Sequence, residues 1–242
     1  MPLDPSLIET LRGVSTATLT MQLLKRGIRH AAMEGVRPMV PMRHRLVGEA
    51  FTLAYLPLRE DLSDPAILAR PDYAPRVAIE EVPAGAVLVI DARRAATTGI
   101  VGDILAARLK IRGVAGIVTD GGLRDVEATV PLGLPIYAAG PASPPSISGL
   151  SGAGMQGPIG CGNVAVIPGD VIVGDQDGIV VVPQALAAEV ARDGAEQERL
   201  ERFIQIKVLA GAATPGVYPA NDKTKAEYKD WIAAGEPKEW RR

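Results

Sequence analysis

The chain has 242 residues, a formal net charge of −2, 47% hydrophobic residues and 22% charged ones. That balance fits an ordinary globular protein of one domain, or one domain with an extension, and leaves no basic footprint for nucleic acid or an anionic membrane. A single cysteine excludes an internal disulfide, and no apolar run approaches the ~18 residues that span a bilayer, so a reducing cytoplasm is the expected compartment.

The opening "MPLDPSLIETLRG" has no basic region followed by an apolar core and does not read as a signal peptide. Residues 5–35 read as helical, with Ser15, Thr16 and Thr18 as cap candidates and Leu19, Leu23 and Leu24 on one face. The basic triplet Arg43, His44 and Arg45 reads as a solvated turn. "HRLVGEAFTLAYLPL" has β-type residues around Gly48, and the proline-rich "PLREDLSDPAILARPDYAP" reads as a loop with one helical turn. With only 4% aromatic residues, the core must be aliphatic.

A clear alternation then begins. "AVLVID" (86–91) is a continuous apolar run ending in Asp, as expected of a strand buried on both faces. "GDILAARLKIRG" (102–113) is a helix with a glycine at each end, "VAGIVTD" (114–120) a second buried strand, "LRDVEATVPLG" a short helix, and "LPIYAAG" a third strand. This is a β-α-β-α-β unit with parallel strands, and it sets the fold class as α/β. A stretch rich in Gly, Ser and Pro reads as loop. Three short strands follow at 164–167, 171–173 and 179–182, the last two joined by the hairpin turn "GDQDG" with Gly178 at positive φ. Residues 183–211 read as a charged helix with Leu186, Val190, Leu200, Ile204 and Val208 inward. The polar tail with its two tryptophans reads as a short docking helix.

"GAGMQG" formally matches the dinucleotide fingerprint, but no strand precedes it and Pro158 follows it, so a flexible loop is expected. The same lack of a glycine-rich cofactor loop in context argues against a methyltransferase. "DQDG" has Val173 where a calcium loop needs its first ligand. Cys161 has only His30 and His44 as distant partners and reads as a small buried residue; two histidines also leave no basis for a His-rich metal site.

The chemistry concentrates in two loops. Gly102 opens a helix whose free amides and partial positive charge form a cradle for a carboxylate across Gly102, Asp103, Ile104 and Leu105. Arg124 and Asp125 open the next helix. Both loops lie beyond the carboxyl ends of adjacent parallel strands, where α/β sheets bind ligands. Asp125 with Asp103 suits a hard divalent cation that keeps several waters.

These residues, Gly102 and Leu105 followed by "RGVAGIVTDGGLRD", resemble the RraA-like family of class II 4-hydroxy-4-methyl-2-oxoglutarate aldolases and regulators of ribonuclease E activity. The resemblance extends through "PGDVIVGDQDGIVVVP" and upstream to "STATLT". It implies a single-domain α-β-β-α sandwich over 1–212 with a C-terminal helical extension over 213–242, homotrimers or hexamers, and sites between subunits. It further implies Mg2+- or Mn2+-dependent retro-aldol cleavage of a 4-hydroxy-2-oxo acid, with decarboxylation of oxaloacetate, releasing pyruvate through an enolate. The 102–105 amides would then bind the pyruvyl carboxylate, Arg124 the C2 oxygen, Asp125 the metal, and Asp103 a metal-bound water. A glutamate of the late helix contributes across the interface in aldolase members; Glu198 and Glu201 both fit that part. Between Asp125 and Arg192 the chain has no Lys or Arg, so a second anionic group on the substrate would be read elsewhere, with Arg59 as a candidate. The alternative is a non-enzymatic regulator that binds ribonuclease E or another partner.

Overall fold

Two short helices open the chain, α1 (Pro5–Arg12) and α2 (Thr16–Lys25). Ser15 caps α2 by accepting from the Thr18 amide at 3.1 Å. The expected helix to residue 35 stops ten residues early. Gly27 takes φ +83°, and the amides of Gly27 and Ile28 fold back on the carbonyls of Leu24 and Leu23. The chain beyond it is claimed by a sheet edge instead: Ala32 bridges Val180, and the Met33 amide donates to the Ile179 carbonyl. The structure, a computed structural model, describes residues 3–41 and 44–239, with Leu62 as backbone only. Arg43 of the basic triplet and Trp240 of the tail lie outside the described residues.

By its contacts the chain divides into units Met1–Ala191 and Arg192–Arg242. The first is mixed α/β. After β1 (Arg37–Pro38) and the long β2 (Leu46–Pro57) come α3 (Ala74–Glu81), β3 (Val87–Asp91), β4 (Gly99–Val101), α4 (Asp103–Ile111), β5 (Gly116–Thr119), β6 (Gly122–Leu123), α5 (Val126–Thr129), β7 (Ile136–Ala138) and β8 (Gly140–Pro141). Then follow β9 (Leu150–Met155), β10 (Ile159–Cys161), β11 (Val164–Val166), β12 (Val171–Gly174) and β13 (Ile179–Val182). The main sheet runs β1-β7-β5-β3-β2-β12-β13, with β9 also on β2. Strands β2, β3, β5 and β7 are mutually parallel, and β3, β5 and β7 with the helices between them are the β-α-β-α-β unit.

The continuous apolar runs have the expected cause. Leu88 and Ile90 of β3 face one core cluster with Ala78 and Ile79 of α3 and Ala106 and Leu109 of α4. Val87 and Val89 face a second cluster with Ile159, Cys161, Val164 and Val166 of the β10–β11 hairpin. A strand covered on both faces has no polar face to show. The hairpin of β12 and β13 forms around Gly178, at φ +145°.

Three further expectations need correction. The stretch before β10 is not loop, and "GAGMQG" is not flexible: its first four residues end β9, antiparallel to β2 with a register shift at Ala54/Tyr55. Of its glycines, Gly152 serves close packing. A Cβ on Gly152 would stand 2.6 Å from Pro75 and 2.9 Å from Tyr73, so this glycine lets the start of α3 lie on the strand. Helix α3 itself is too short for its apolar period to stand out in the sequence; Pro75 in its first turn starts it. The proline-rich loop before it holds two 3-10 turns, Glu60–Leu62 and Pro65–Ala69.

The third correction concerns the late helix α6 (Ala187–Leu209). Val190 and Ile204 are buried, but Val208 is 38% exposed. In the second unit the tail forms α7 (Asp222–Ala233), whose Tyr228 and Trp231 pack on Phe203 of α6. The stripe of α6 therefore turns toward Phe203, fully buried, and leaves Val208 outside it.

Candidate active site

Each main strand of the parallel unit breaks at its carboxyl end and resumes as a strand of a second, smaller sheet, β4-β6-β8. The break after β5 is held by Asp120, 3% exposed, whose carboxylate accepts from the amides of Ala92 at 2.7 Å and Gly162 at 3.2 Å. Burial raises its carboxyl pKa, against the pull of those two amides. Cys161 is packed beneath, its Sγ 3.5 Å from the Ile90 carbonyl, and burial pushes its thiol well up. It is a core residue, not a poised nucleophile.

The small sheet sets the site. Strands β4 and β6 are parallel with Gly99 opposite Gly122 and Val101 opposite Leu123. The residues following them, Gly102 and Arg124, are thus neighbours, and the Arg124 amide donates to the Val101 carbonyl at 2.9 Å. Two glycines make room for the pair. A Cβ on Gly99 would fall 1.9 Å from Cγ of Arg124, and one on Gly102 would fall 2.6 Å from Oδ2 of Asp125. Asp125 is held at φ 52°, ψ 41°, a left-handed conformation that costs a non-glycine residue about 1–2 kcal/mol. Its carbonyl accepts from the Thr129 hydroxyl at 2.8 Å.

The Nε of Arg124 is buried and, among the described residues, has no hydrogen-bond partner. A buried guanidinium N–H left open is costly unless something accepts from it. Beside it, α4 starts at Gly102 without a side-chain cap, and its first internal bond is Ala106 N to Gly102 O at 3.0 Å. Among the described residues, the amides of Asp103, Ile104 and Leu105 therefore have no partner within the helix.

Gly99, Gly102, Asp103, Ile104, Leu105, Arg124 and Asp125 line one crevice of about 210 Å³, together with Tyr55, Tyr73, Arg76, Ser146, Leu68 and Ile147. Burial, with Tyr73 close by, raises the Tyr55 phenol despite the Ser146 hydroxyl alongside it. Arg59 is absent from this lining. Its guanidinium is taken by Asp61 at 2.5 and 3.0 Å. Lys110 instead donates to the Leu132 carbonyl. Glu198 and Glu201 belong to the second unit, where Glu201 accepts from Gln197 at 2.9 Å. A roomier cleft of about 490 Å³ lies among Glu9, Arg12, His44, Arg45 and Asp175. Its guanidinium groups already have carboxylates, Arg12 with Glu9 at 3.3 Å and Arg45 with Asp175 at 3.7 Å. The smaller crevice is the one with an unanswered donor.

Among the described residues no group of three or more His, Cys, Asp or Glu side chains is arranged to hold a metal ion. The crevice offers two carboxylates, Asp125 and Asp103, and no histidine. That donor set fits a hard divalent cation, which takes one or two carboxylates and fills its remaining positions with water and substrate oxygens.

The family model described as "RraA-like: Aldolase/RraA" matches residues 15–181. The chain belongs to the RraA-like family. It is 38% identical over 138 residues to a Halalkalibacterium halodurans protein named "Putative 4-hydroxy-4-methyl-2-oxoglutarate aldolase", covering 55% of this chain and 65% of that one. It is 25% identical over 208 residues to Protein DlpA of Legionella pneumophila, 86% of this chain and 32% of that protein. The chain thus spans less than two thirds of the length of these curated relatives. Among solved structures, it superposes on RraAS2 of Streptomyces coelicolor, described as an unusual member of the RNase ES inhibitor RraA protein family. The TM-score is 0.75 at 35% identity, covering 85% of this chain and 98% of that one. An uncharacterized protein from Pseudomonas syringae pv. tomato gives a TM-score of 0.76 at 28% identity, over 90% and 99% of the two chains. These neighbours are of the family's fold and bear out the mixed α/β expectation. No helix among the described residues is long and apolar enough to cross a membrane.

The sequence brought out Gly102, Asp103, Ile104, Leu105, Arg124 and Asp125, and the structure gathers all six. It passed over Gly99, Tyr55, Tyr73, Arg76 and Ser146. For Gly99 the signal was present, a glycine three residues before Gly102, in the stretch between the strand ending at Asp91 and the helix. For the others there was none, because they arrive from α3, β2 and the loop before β9.

Proposed function

We propose that the crevice is the active site of a class II pyruvate lyase, a divalent-metal-dependent aldolase that cleaves 4-hydroxy-2-oxo acids and also decarboxylates oxaloacetate. The observation that carries this reading is the open Nε of Arg124, buried beside Asp125 and the uncapped start of α4. The relative named as an aldolase supports the same reaction class.

In this reading the amides of Asp103, Ile104 and Leu105 bind the substrate's C1 carboxylate, as helix N-termini bind anions. Arg124 donates from Nε to the C2 oxygen. When the C3–C4 bond breaks, its electron pair passes to C3 and on to the C2 oxygen, and C4 leaves as the carbonyl carbon of an aldehyde or ketone. The growing oxyanion meets a donor already in place, and such preorganised donors contribute about 10²–10³-fold to turnover. A water hydrogen-bonded to Asp103 takes the 4-hydroxyl proton and returns a proton to C3, giving pyruvate. Asp125 would hold Mg2+ or Mn2+, which when bound would supply Lewis-acid charge that stabilises the enolate. For oxaloacetate the leaving group is CO2, and the enolate is the same. No lysine Schiff base enters. The working form is proposed as a cytoplasmic homotrimer or hexamer, with Glu198 or Glu201 as the cross-subunit contributor.

The test is pyruvate release from oxaloacetate and from 4-hydroxy-2-oxo acids, with Mg2+ and with excess chelator. Release that needs the cation is expected. Full activity in chelator would remove the metal from the reading, and trapping of a lysine adduct by borohydride would replace it with Schiff-base chemistry. The second reading, a regulator that binds ribonuclease E or another partner, draws on the likeness to RraAS2. Inhibition of that ribonuclease by a protein with no lyase activity would favour it.

A further inference from the structure

Three buried side-chain polar atoms among the described residues have no hydrogen-bond partner: Nε of Arg112, Nε of Arg124 and the hydroxyl oxygen of Tyr73. Arg112 is not part of the crevice, and its guanidinium donates to the Val82 carbonyl at 3.2 Å. Arg124 and Tyr73 both line the crevice. Arg124 has its role in the reading above. The Tyr73 hydroxyl is a second buried donor there with nothing to accept from it, which is costly unless a ligand supplies the acceptor.

Tyr73 is fixed in backbone and in ring. It is the N-cap residue of α3, and its carbonyl accepts from the amides of Arg76 at 2.8 Å and Val77 at 3.0 Å. Its ring lies on Gly152, where a Cβ would stand 2.9 Å from Cε2. Gly152 in turn is the partner of Tyr55 in the pairing of β9 with β2. Burial raises the Tyr73 phenol, against the pull of the Gly152 amide and the Arg76 charge, so the hydroxyl keeps its proton at neutral pH. Those two neighbours are a donor and a cation, and neither can accept that proton. The result is a neutral O–H donor held in place before any ligand arrives.

We propose that Tyr73 is a specificity-determining residue that donates to the oxygen on C4 of the substrate, so that the site favours 4-hydroxy-2-oxo acids over 2-oxo acids without a 4-hydroxyl group. This rests on the proposed function, which gives the C1 carboxylate to the α4 amides and the C2 oxygen to Arg124. The C4 oxygen is then the one oxygen common to such substrates that has no donor, and Tyr73 is the donor that has no acceptor. As the 4-hydroxyl proton leaves, that oxygen gains alkoxide character, and hydrogen bonds to a charged acceptor are roughly twice as strong as neutral ones. Tyr73 keeps its own proton throughout. A site built to hydrogen-bond a substrate hydroxyl also rejects analogues that lack it, because its buried donor is left unpaired.

The experiment compares Tyr73→Phe with the wild type, Mg2+ present, on two substrates: 4-hydroxy-2-oxopentanoate, which carries the 4-hydroxyl group, and oxaloacetate, which does not. Phenylalanine keeps the ring on Gly152 and removes no internal hydrogen bond, so the melting temperature should match that of the wild type. The kcat/KM for cleavage should fall about 10–100-fold more than that for decarboxylation, the range set by one hydrogen bond to a charged group. Affinity for pyruvate, which has no C4, is measured by titration calorimetry and should change far less than cleavage does. Rates on the two substrates come from one preparation, so any loss of folded protein cancels in their ratio. A fall in cleavage no larger than the changes with oxaloacetate and pyruvate would overturn the contact with the C4 oxygen and leave the proposed function standing. Wild-type activity on oxaloacetate alone would overturn the preference. A wild type that releases pyruvate from neither substrate would remove the proposed function and this inference with it.

Discussion

The side chain of Arg124 lies across Gly99 so closely that a Cβ there would stand 1.9 Å from its Cγ and 2.7 Å from its Cδ. The Ala142 carbonyl, 2.8 Å from the same point, blocks the other way out. The donor and the glycine beneath it are one device. Gly99→Ala should push the guanidinium off its position and lower turnover by about 10²-fold or more. Overpacking of this kind costs typically 1–3 kcal/mol, so a fall in melting temperature should accompany it. Normal turnover in Gly99→Ala would mean that the position of Arg124 does not matter to the chemistry.

Gly102→Ala tests the neighbouring residue. Gly102 has ordinary extended backbone, φ −115° and ψ −175°, so alanine brings no strain of its own. The added methyl would meet Asp125 Oδ2 at 2.6 Å. The expected result is a folded protein whose activity needs several-fold more Mg2+, read from a cation titration at saturating substrate. An unchanged Mg2+ requirement would separate Asp125 from the metal.

How far the sequence could be read depends on the distance over which each signal acts. The β-α-β-α-β unit was legible because two-sided burial writes itself as continuous apolar runs, such as Val87 to Ile90. Arg124 and Asp125 were legible because they follow such a run directly. The small sheet of β4, β6 and β8 was not: strands of two or three residues have no period to detect. Nor was the start of α3 at the crevice. Gly152 leaves room for Tyr73 and Pro75, 79 and 77 positions earlier, and a contact of that range leaves no local pattern. Arg59, the candidate chosen for its place in a loop, is neutralised by an aspartate two residues away.

Asp120 should give the fold a pH signature. Its folded pKa is raised above the ordinary carboxylate value of 3.8, mainly by burial. The folded state therefore binds the proton more tightly than the unfolded chain. Its contribution is fully present below pH 3.8 and is lost as pH rises through the raised pKa. Asp120→Asn removes the titration, so its stability should stay flat across that window where the wild type declines. An asparagine cannot accept from both the Ala92 and Gly162 amides with the same reach, so its overall stability should be lower. Parallel slopes of melting temperature against pH in the two proteins would show that Asp120 does not titrate there.

Arg124→Lys is the most demanding test of the proposed chemistry. Lysine keeps the charge but loses the planar fork and the Nε donor that lies buried without a partner. If that donor serves the enolate oxygen, turnover should fall about 10²-fold or more, equal to ~2.7 kcal/mol of transition-state stabilisation. The fold should survive. Arg124 is only partly buried, and its backbone is fixed by the bond from its amide to the Val101 carbonyl rather than by its side chain. Removing a buried donor with no partner carries no loss of an internal hydrogen bond, so the melting temperature should hold or rise slightly. A surface ion-pair role predicts the reverse, a stability change under about 1 kcal/mol with activity intact. Turnover and melting temperature measured on the same preparation separate the two, and near-normal turnover would take Arg124 out of the mechanism.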